Sequence, residues 1–194
     1  MQPVVRYFTI LVLLILVTTG SVESADKAAV TAAIDRGLRW LKEQQAEDGS
    51  WDHYPGITAL AVSAFARSPR KYREEDGPFM RRPVQFILKC QREDGSFVPP
   101  DNALLAYNTG VCLMALVDVK NASYETAIRH ARDYLVELQC DEGEGYETGD
   151  KFYGGIGYGS GLRPDLSNLQ VALEALRRRT FRKTTPRGTR RSRF

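Results

Sequence analysis

Histidine, cysteine and long apolar runs are in short supply in this 194-residue chain, and each shortage removes a class of function. The two histidines, His53 and His130, have no sequence context tying either to a nucleophile, so no Ser-His-Asp arrangement can be argued. Three cysteines, Cys90, Cys112 and Cys140, leave one unpaired in any disulfide scheme, and no Cys-x-x-Cys pair occurs. Together these residues supply no metal-ligand set of recognisable spacing, so neither zinc nor any other cofactor is expected. A bridge between Cys90 and Cys140, each beside a glutamine at the same end of neighbouring helices, remains open. Cys112 lies in an apolar stretch and reads as a small core residue.

The longest apolar run, YFTILVLLILV, is about 11 residues, short of the roughly 20 that a membrane helix needs. With Arg6 ahead of it and small residues around Ser24 and Ala25 behind it, residues 1 to 25 read as an export signal, secretory or periplasmic. An uncleaved N-terminal anchor is the alternative. No later segment is long and apolar enough to span a bilayer, so none is expected after cleavage. At the other end, acidic residues are missing altogether. Residues 177 to 194 carry nine Lys or Arg and no acid, which leaves 18 basic against 24 acidic side chains in the rest. The net charge of +3 describes neither part. Such a tail can contact nucleic acid or an anionic membrane, and nothing else points to nucleic acid. It reads instead as a disordered solvated segment or, better, a non-native ending left by truncation or frameshift.

What is present is a repeat. RGLRWLKEQQAEDGSW, RPVQFILKCQREDGSF and HARDYLVELQCDEGEGY share one plan, in which an aromatic (Trp40, Phe86, Tyr134) precedes a glutamine (Gln45, Gln91, Gln139) by five residues. An acid and a glycine follow (Gly49, Gly95, Gly143), then another aromatic (Trp51, Phe97, Tyr146). The glutamines are 46 and 48 residues apart, a period that signals stacked helical units. These residues resemble the QW motif of the squalene and oxidosqualene cyclases and of their relatives, the protein prenyltransferase β subunits. Arg36, Gly37, Trp40, Leu41, Gln45, Gly49 and Trp51 match it fully, whereas Pro83, Ala131 and Phe97 depart from it in the later copies. The resemblance covers roughly residues 27 to 176.

Between the motif helices lie GITALAVSAFA (56 to 66), ALLAYNTGVCLMALVDV (103 to 119) and DLSNLQVALEAL (165 to 176), each nearly all small or apolar. Their composition predicts buried helices, and the mixed motif segments predict helices with one wet face. Asp101, Ser123 and Asp165 are placed to cap helix starts, and Gly49, Gly95 and Gly143 to end the motif helices. The chain is therefore expected to be all-α, with three helical hairpins over residues 26 to 176. The resemblance implies an α/α toroid with inner helices around a cavity, of which this chain is about half. The repeat residues are then structural staples. A half-ring exposes apolar hairpin faces, so a partner chain, an oligomer or a missing half is expected.

Five glycines in FYGGIGYGSGL invite a phosphate-loop reading, but no Lys-Ser/Thr follows and no strand precedes. The resemblance instead makes Asp165 informative. A cyclase acid motif laid on Asp165-Leu166-Ser167-Asn168 would put its central proton donor on Ser167, far too weak an acid. A prenyltransferase zinc pair laid there would put its cysteine on Ser167 as well, with no later histidine. Both chemistries lose the same residue, and Asp165 also fits a simple N-cap. Candidate ligand-binding residues are Tyr107, Asn108, Tyr153, Tyr158, Ser167 and Asn168, flanking a groove for an isoprenoid, lipid or other long apolar chain. A noncatalytic scaffold and a remnant of a cyclase or prenyltransferase-like enzyme are the alternatives. Asn121-Ala122-Ser123 matches a glycosylation sequon, though helix capping explains it as well.

Overall fold

The computed structural model describes residues 26–101, 103–159 and 163–178. The segment read as an export signal and the basic segment from 179 onward lie outside them. The chain divides between Arg36 and Gly37 into two units. The described part of the first is the beginning of helix α1 (Lys27–Glu43). The second holds the rest of α1, then α2 (Pro55–Arg67), α3 (Pro78–Lys89), α4 (Leu105–Val119), α5 (Glu125–Glu137) and α6 (Leu166–Arg177). It is all-α, in the alternating outer and inner order of a partial α/α toroid. Among the described residues there is no strand, only isolated bridges, and no helix long and apolar enough to cross a membrane.

The local starts and stops follow ordinary backbone chemistry. Pro55 and Pro78 open α2 and α3 where a missing N–H costs nothing. Gly77, at φ 131°, makes the turn into α3 that a side chain would strain. Asp101 and Ser123 do not cap the long helices. Asp101 Oδ1 accepts from Ala103 N in the preceding turn, and Ser123 N donates to Asn121 Oδ1. The start of α4 is held instead by Asn108, whose Nδ2 donates to the carbonyls of Ala103 (3.2 Å) and Leu104 (3.0 Å).

Burial follows composition in α2 and α4, where most residues are covered, whereas α6 buries only Asn168, Ala172 and Ala175, although its composition predicts a buried helix. The inner helices α2, α4 and α6 pack in succession, and the outer helices α3 and α5 lie mainly against the inner helix before them. Phe65 of α2 anchors one such contact, with ring centroids 5.5 Å from Phe79 of α3 and 5.7 Å from Tyr72. Cys112 is fully buried, and burial pushes its thiol well above the ordinary range. All three cysteines are free. Arg178 pairs with Asp118 at 2.5 Å, with both side chains mostly covered.

The glutamines are the joints between repeats. Gln45 Nε2 donates to the carbonyls of Gly49 (2.9 Å) and Phe79 (3.0 Å), so one amide ties its own turn to the next outer helix. The Phe79 carbonyl would normally serve the amide four residues on, but that residue is Pro83, inside α3. Gln45 therefore satisfies an acceptor that the proline leaves without its helical donor. Gln91 repeats the arrangement, donating to Gly95 (3.3 Å) and Ala127 (2.8 Å). Phe79 and Ala127 each stand seven residues before the motif aromatic. The acids below the glutamines match too: Asp48 Oδ1 accepts from Ser50 N and Oγ, and Asp94 Oδ1 from Ser96 N and Oγ.

The third copy departs from the sequence expectation. Gln139 Nε2 donates to Gly154 (3.2 Å), 15 residues away, where Gln45 and Gln91 reach a glycine four residues away. Gln139 bridges Ile156 as Gln91 bridges Phe97, so Ile156 takes the closing place expected of Tyr146. The repeat glycine is Gly154, at φ 78°, beside 89° and 90° for Gly49 and Gly95. Gly143 sits in an inserted 3-10 turn (Glu142–Glu144) capped by Asp141. Glu142-Gly143 imitates the acid-glycine pair in sequence, but the hydrogen bond that defines the joint skips the insertion.

Candidate functional site

The N-terminal end of α6 carries the residues singled out for chemistry. A cleft of about 300 Å³ opens there, lined by Lys151, Phe152, Tyr153, Gly154-Gly155, Pro164, Asp165, Leu166 and Leu169. The Gly154-Gly155 turn forms one wall because Gly154 N bonds to Cys140 O (2.7 Å) and Cys140 N to Gly155 O (2.9 Å), which pins the inserted loop to the end of α5. Gly155 has no room for a side chain, since a Cβ would come within 2.7 Å of Pro164 Cβ on the opposite wall. The other wall begins at the N-cap of α6.

Asp165 is that N-cap. Its Oδ1 accepts from Ser167 N (2.8 Å), Asn168 N (2.9 Å) and Ser167 Oγ (2.5 Å), and its Oδ2 from Asn168 Nδ2 (2.6 Å). Four donors on one carboxylate stabilise its charge, foremost the Ser167 hydroxyl, and hold its pKa down to about 2. A group that protonates an alkene needs the opposite environment, one that keeps the carboxyl neutral and acidic in an apolar setting. Ser167 and Asn168 are thus hydrogen-bond partners of Asp165. Because the folded pKa lies below the usual value near 3.9, this charge favours the fold above about pH 4, and the benefit is lost as pH falls through 2. Carboxyl 13C NMR should show Asp165 titrating near 2. A midpoint above 5 would return it to the list of acids.

The remaining candidates divide. Tyr153 lines the cleft and donates from its hydroxyl to Glu142 (3.0 Å). Tyr107 and Asn108 lie on α4, outside the cleft lining, with Tyr107 packed against the core and Asn108 buried. Tyr158 also lies outside the lining, its carbonyl accepting from Ala106 N (3.1 Å). The structure therefore brings Tyr153 together with Asp165 and its partners, and leaves the other two tyrosines apart. Sequence reading missed Phe152, which sits with Lys151 Nζ 5.6 Å and the Arg163 guanidinium 5.4 Å from its ring centroid, and the apolar pair Leu166 and Leu169. The glycine pair was the signal that pointed to all three. Among the described residues no group of three or more His, Cys, Asp or Glu could hold a metal ion.

Comparison with known proteins gives this geometry a context. The family model described as the squalene-hopene cyclase C-terminal domain matches residues 54–176. Lanosterol synthase from Pneumocystis carinii is 31% identical over 142 residues, which is 66% of this chain and 20% of that protein. The chain thus spans about a fifth of the length of that relative. No solved structure matches it.

Proposed function

The chain belongs to the squalene-hopene cyclase family, and from that premise we propose that it is an exported protein that holds a long apolar chain of the isoprenoid class without turning it over. One observation carries the reading. The cleft at the start of α6 sets Tyr153, Leu166 and Leu169 beside an Asp165 that is held as a carboxylate by four hydrogen bonds. Leucine and aromatic surface accepts an apolar chain, and Phe152 and Tyr153 add faces for its double bonds. Cyclisation must start from a cation, and the position where the family resemblance puts the central proton donor holds Ser167.

The test pairs binding with product analysis. A fluorescent farnesyl probe is expected to bind, and Leu166→Asp to weaken it about tenfold or more, the equivalent of about 1.4 kcal/mol. Squalene, its epoxide and a prenyl diphosphate should be recovered unchanged, as read by mass spectrometry. Product that vanishes in Asp165→Asn would establish catalysis and defeat the noncatalytic part of this reading. Failure of the probe to bind would favour a scaffold.

A further inference from the structure

The joints between repeats occur twice complete and once half-made. In the complete joints a glutamine reaches the next outer helix seven residues before its aromatic, Gln45 to Phe79 and Gln91 to Ala127. The repeat glycine meets the same helix four residues before the aromatic. A Cβ on Gly49 would overlap Arg82, and one on Gly95 would overlap the His130 carbonyl. At the third joint Gln139 donates to Gly154 alone among the described residues. Among the described residues, a Cβ on Gly154 would have only Gln139 Nε2, 3.9 Å away, within contact range.

The inner helices tell the same story. Thr58 and Thr109 hold equivalent places, each accepting at Oγ1 from the backbone N–H of the closing aromatic, Trp51 and Phe97. The run Asn108-x-x-Val111-x-Leu113-x-Ala115-Leu116 recurs as Asn168-x-x-Val171-x-Leu173-x-Ala175-Leu176. In that register Val62 and Leu113 are fully buried, whereas Leu173 is 43% exposed. Leu173, Leu169 and Leu176 line an apolar groove of about 170 Å³ with Val136 and Gln139. This is the seat that α3 takes on α2 and α5 on α4.

The matching plug is at the other end of the repeat series. In α3 the positions six and three before the aromatic, and one after it, are Met80, Pro83 and Ile87, all buried, and in α5 Ile128, Ala131 and Leu135 are buried too. The same positions in α1 are Ile34, Gly37 and Leu41, of which Ile34 and Gly37 are exposed and Leu41 is partly so. Trp40 itself is 59% exposed. α1 is an outer helix presenting the face that its two sister helices bury.

The geometry points to head-to-tail association, in which α1 of a second copy of this chain seats in the groove formed by α5, α6 and Gly154. The register fixes the contacts. Gln139 Nε2 would donate to the Ala33 carbonyl of the second copy, and Gly154 would face the backbone at Arg36 and Gly37. Gly37, with nothing among the described residues within 4 Å of a Cβ placed on it, permits that close approach. Two copies of the same interface inside the chain, at Gln45 and Gln91, specify this occupant, and the contact needs no bound ligand. The contact is heterologous, so it closes as a ring or continues as an open chain.

Sedimentation of the purified chain should show association that grows with concentration. Trp40 fluorescence should shift to the blue in step, while buried Trp51 changes little. Ile34→Asp and Leu173→Asp alter exposed side chains, so both should keep wild-type circular dichroism, and each alone should sediment as a monomer. Mixed in equal amounts they should form a one-to-one dimer, because each supplies the surface the other has lost. Gln139→Ala should weaken association without abolishing the fold. Wild-type chain that stays monomeric up to about 100 μM, far above the micromolar range, would overturn the proposal. Either single variant still associating by itself, or the mixture failing to pair, would overturn it equally.

Discussion

Gly95→Ala is expected to cost about 4 kcal/mol or more of unfolding free energy, enough to leave the chain marginal or unfolded at 37 °C. Two effects add. Gly95 sits at φ 90°, where a side chain costs about 1–2 kcal/mol. Its Cβ would also overlap the His130 carbonyl, a backbone atom of α5 that cannot rotate away. Gly154→Ala supplies the control, because it has nearly the same backbone at φ 78° but nothing closer than 3.9 Å. It should cost only about 1–2 kcal/mol in the monomer. Urea midpoints of the two variants would measure the contact alone, since the backbone penalty is common to both. Equal losses would mean that the joint at Gly95 yields, and would refute the tight packing of the second repeat on the third.

Phe65→Ala should remove about 3–5 kcal/mol, the range for a fully enclosed phenylalanine. The ring is 2% exposed and lies between Trp51 of its own repeat and Phe79 of the next, with Tyr72 edge-on. Its neighbours are large and mutually braced, Tyr72 and Phe79 being 5.5 Å apart, so they cannot collapse into the space. The melting temperature should fall by about 10 °C or more. Phe65→Leu, which keeps most of the volume, should recover more than half of the loss. A loss below about 1 kcal/mol would place Phe65 outside the core.

The helices, their order and their alternation of mixed and apolar segments were legible from the residues alone. These depend on composition and short-range spacing, which are written locally. The inner segments at 56 to 66, 103 to 119 and 165 to 176 became helices at 55–67, 105–119 and 166–177. Asp165 was also legible as a cap, since an N-cap bonds amides only two and three residues away. Packing settled what depends on contacts between distant residues. Gln45 and Gln91 reach across 34 and 36 residues to carbonyls of the next outer helix, and nothing near the glutamine names those partners. It chose Gly154 over Gly143, because a hydrogen bond is insensitive to how much chain loops out between donor and acceptor. It separated Tyr107 and Tyr158 from the cleft that Tyr153 lines, because side-chain direction follows helix rotation and loop path, which residue type does not encode. It also decided which apolar side chains stay exposed among the described residues, Ile34 and Trp40 on α1 and Leu173 on α6, because burial depends on which repeat stands next to which.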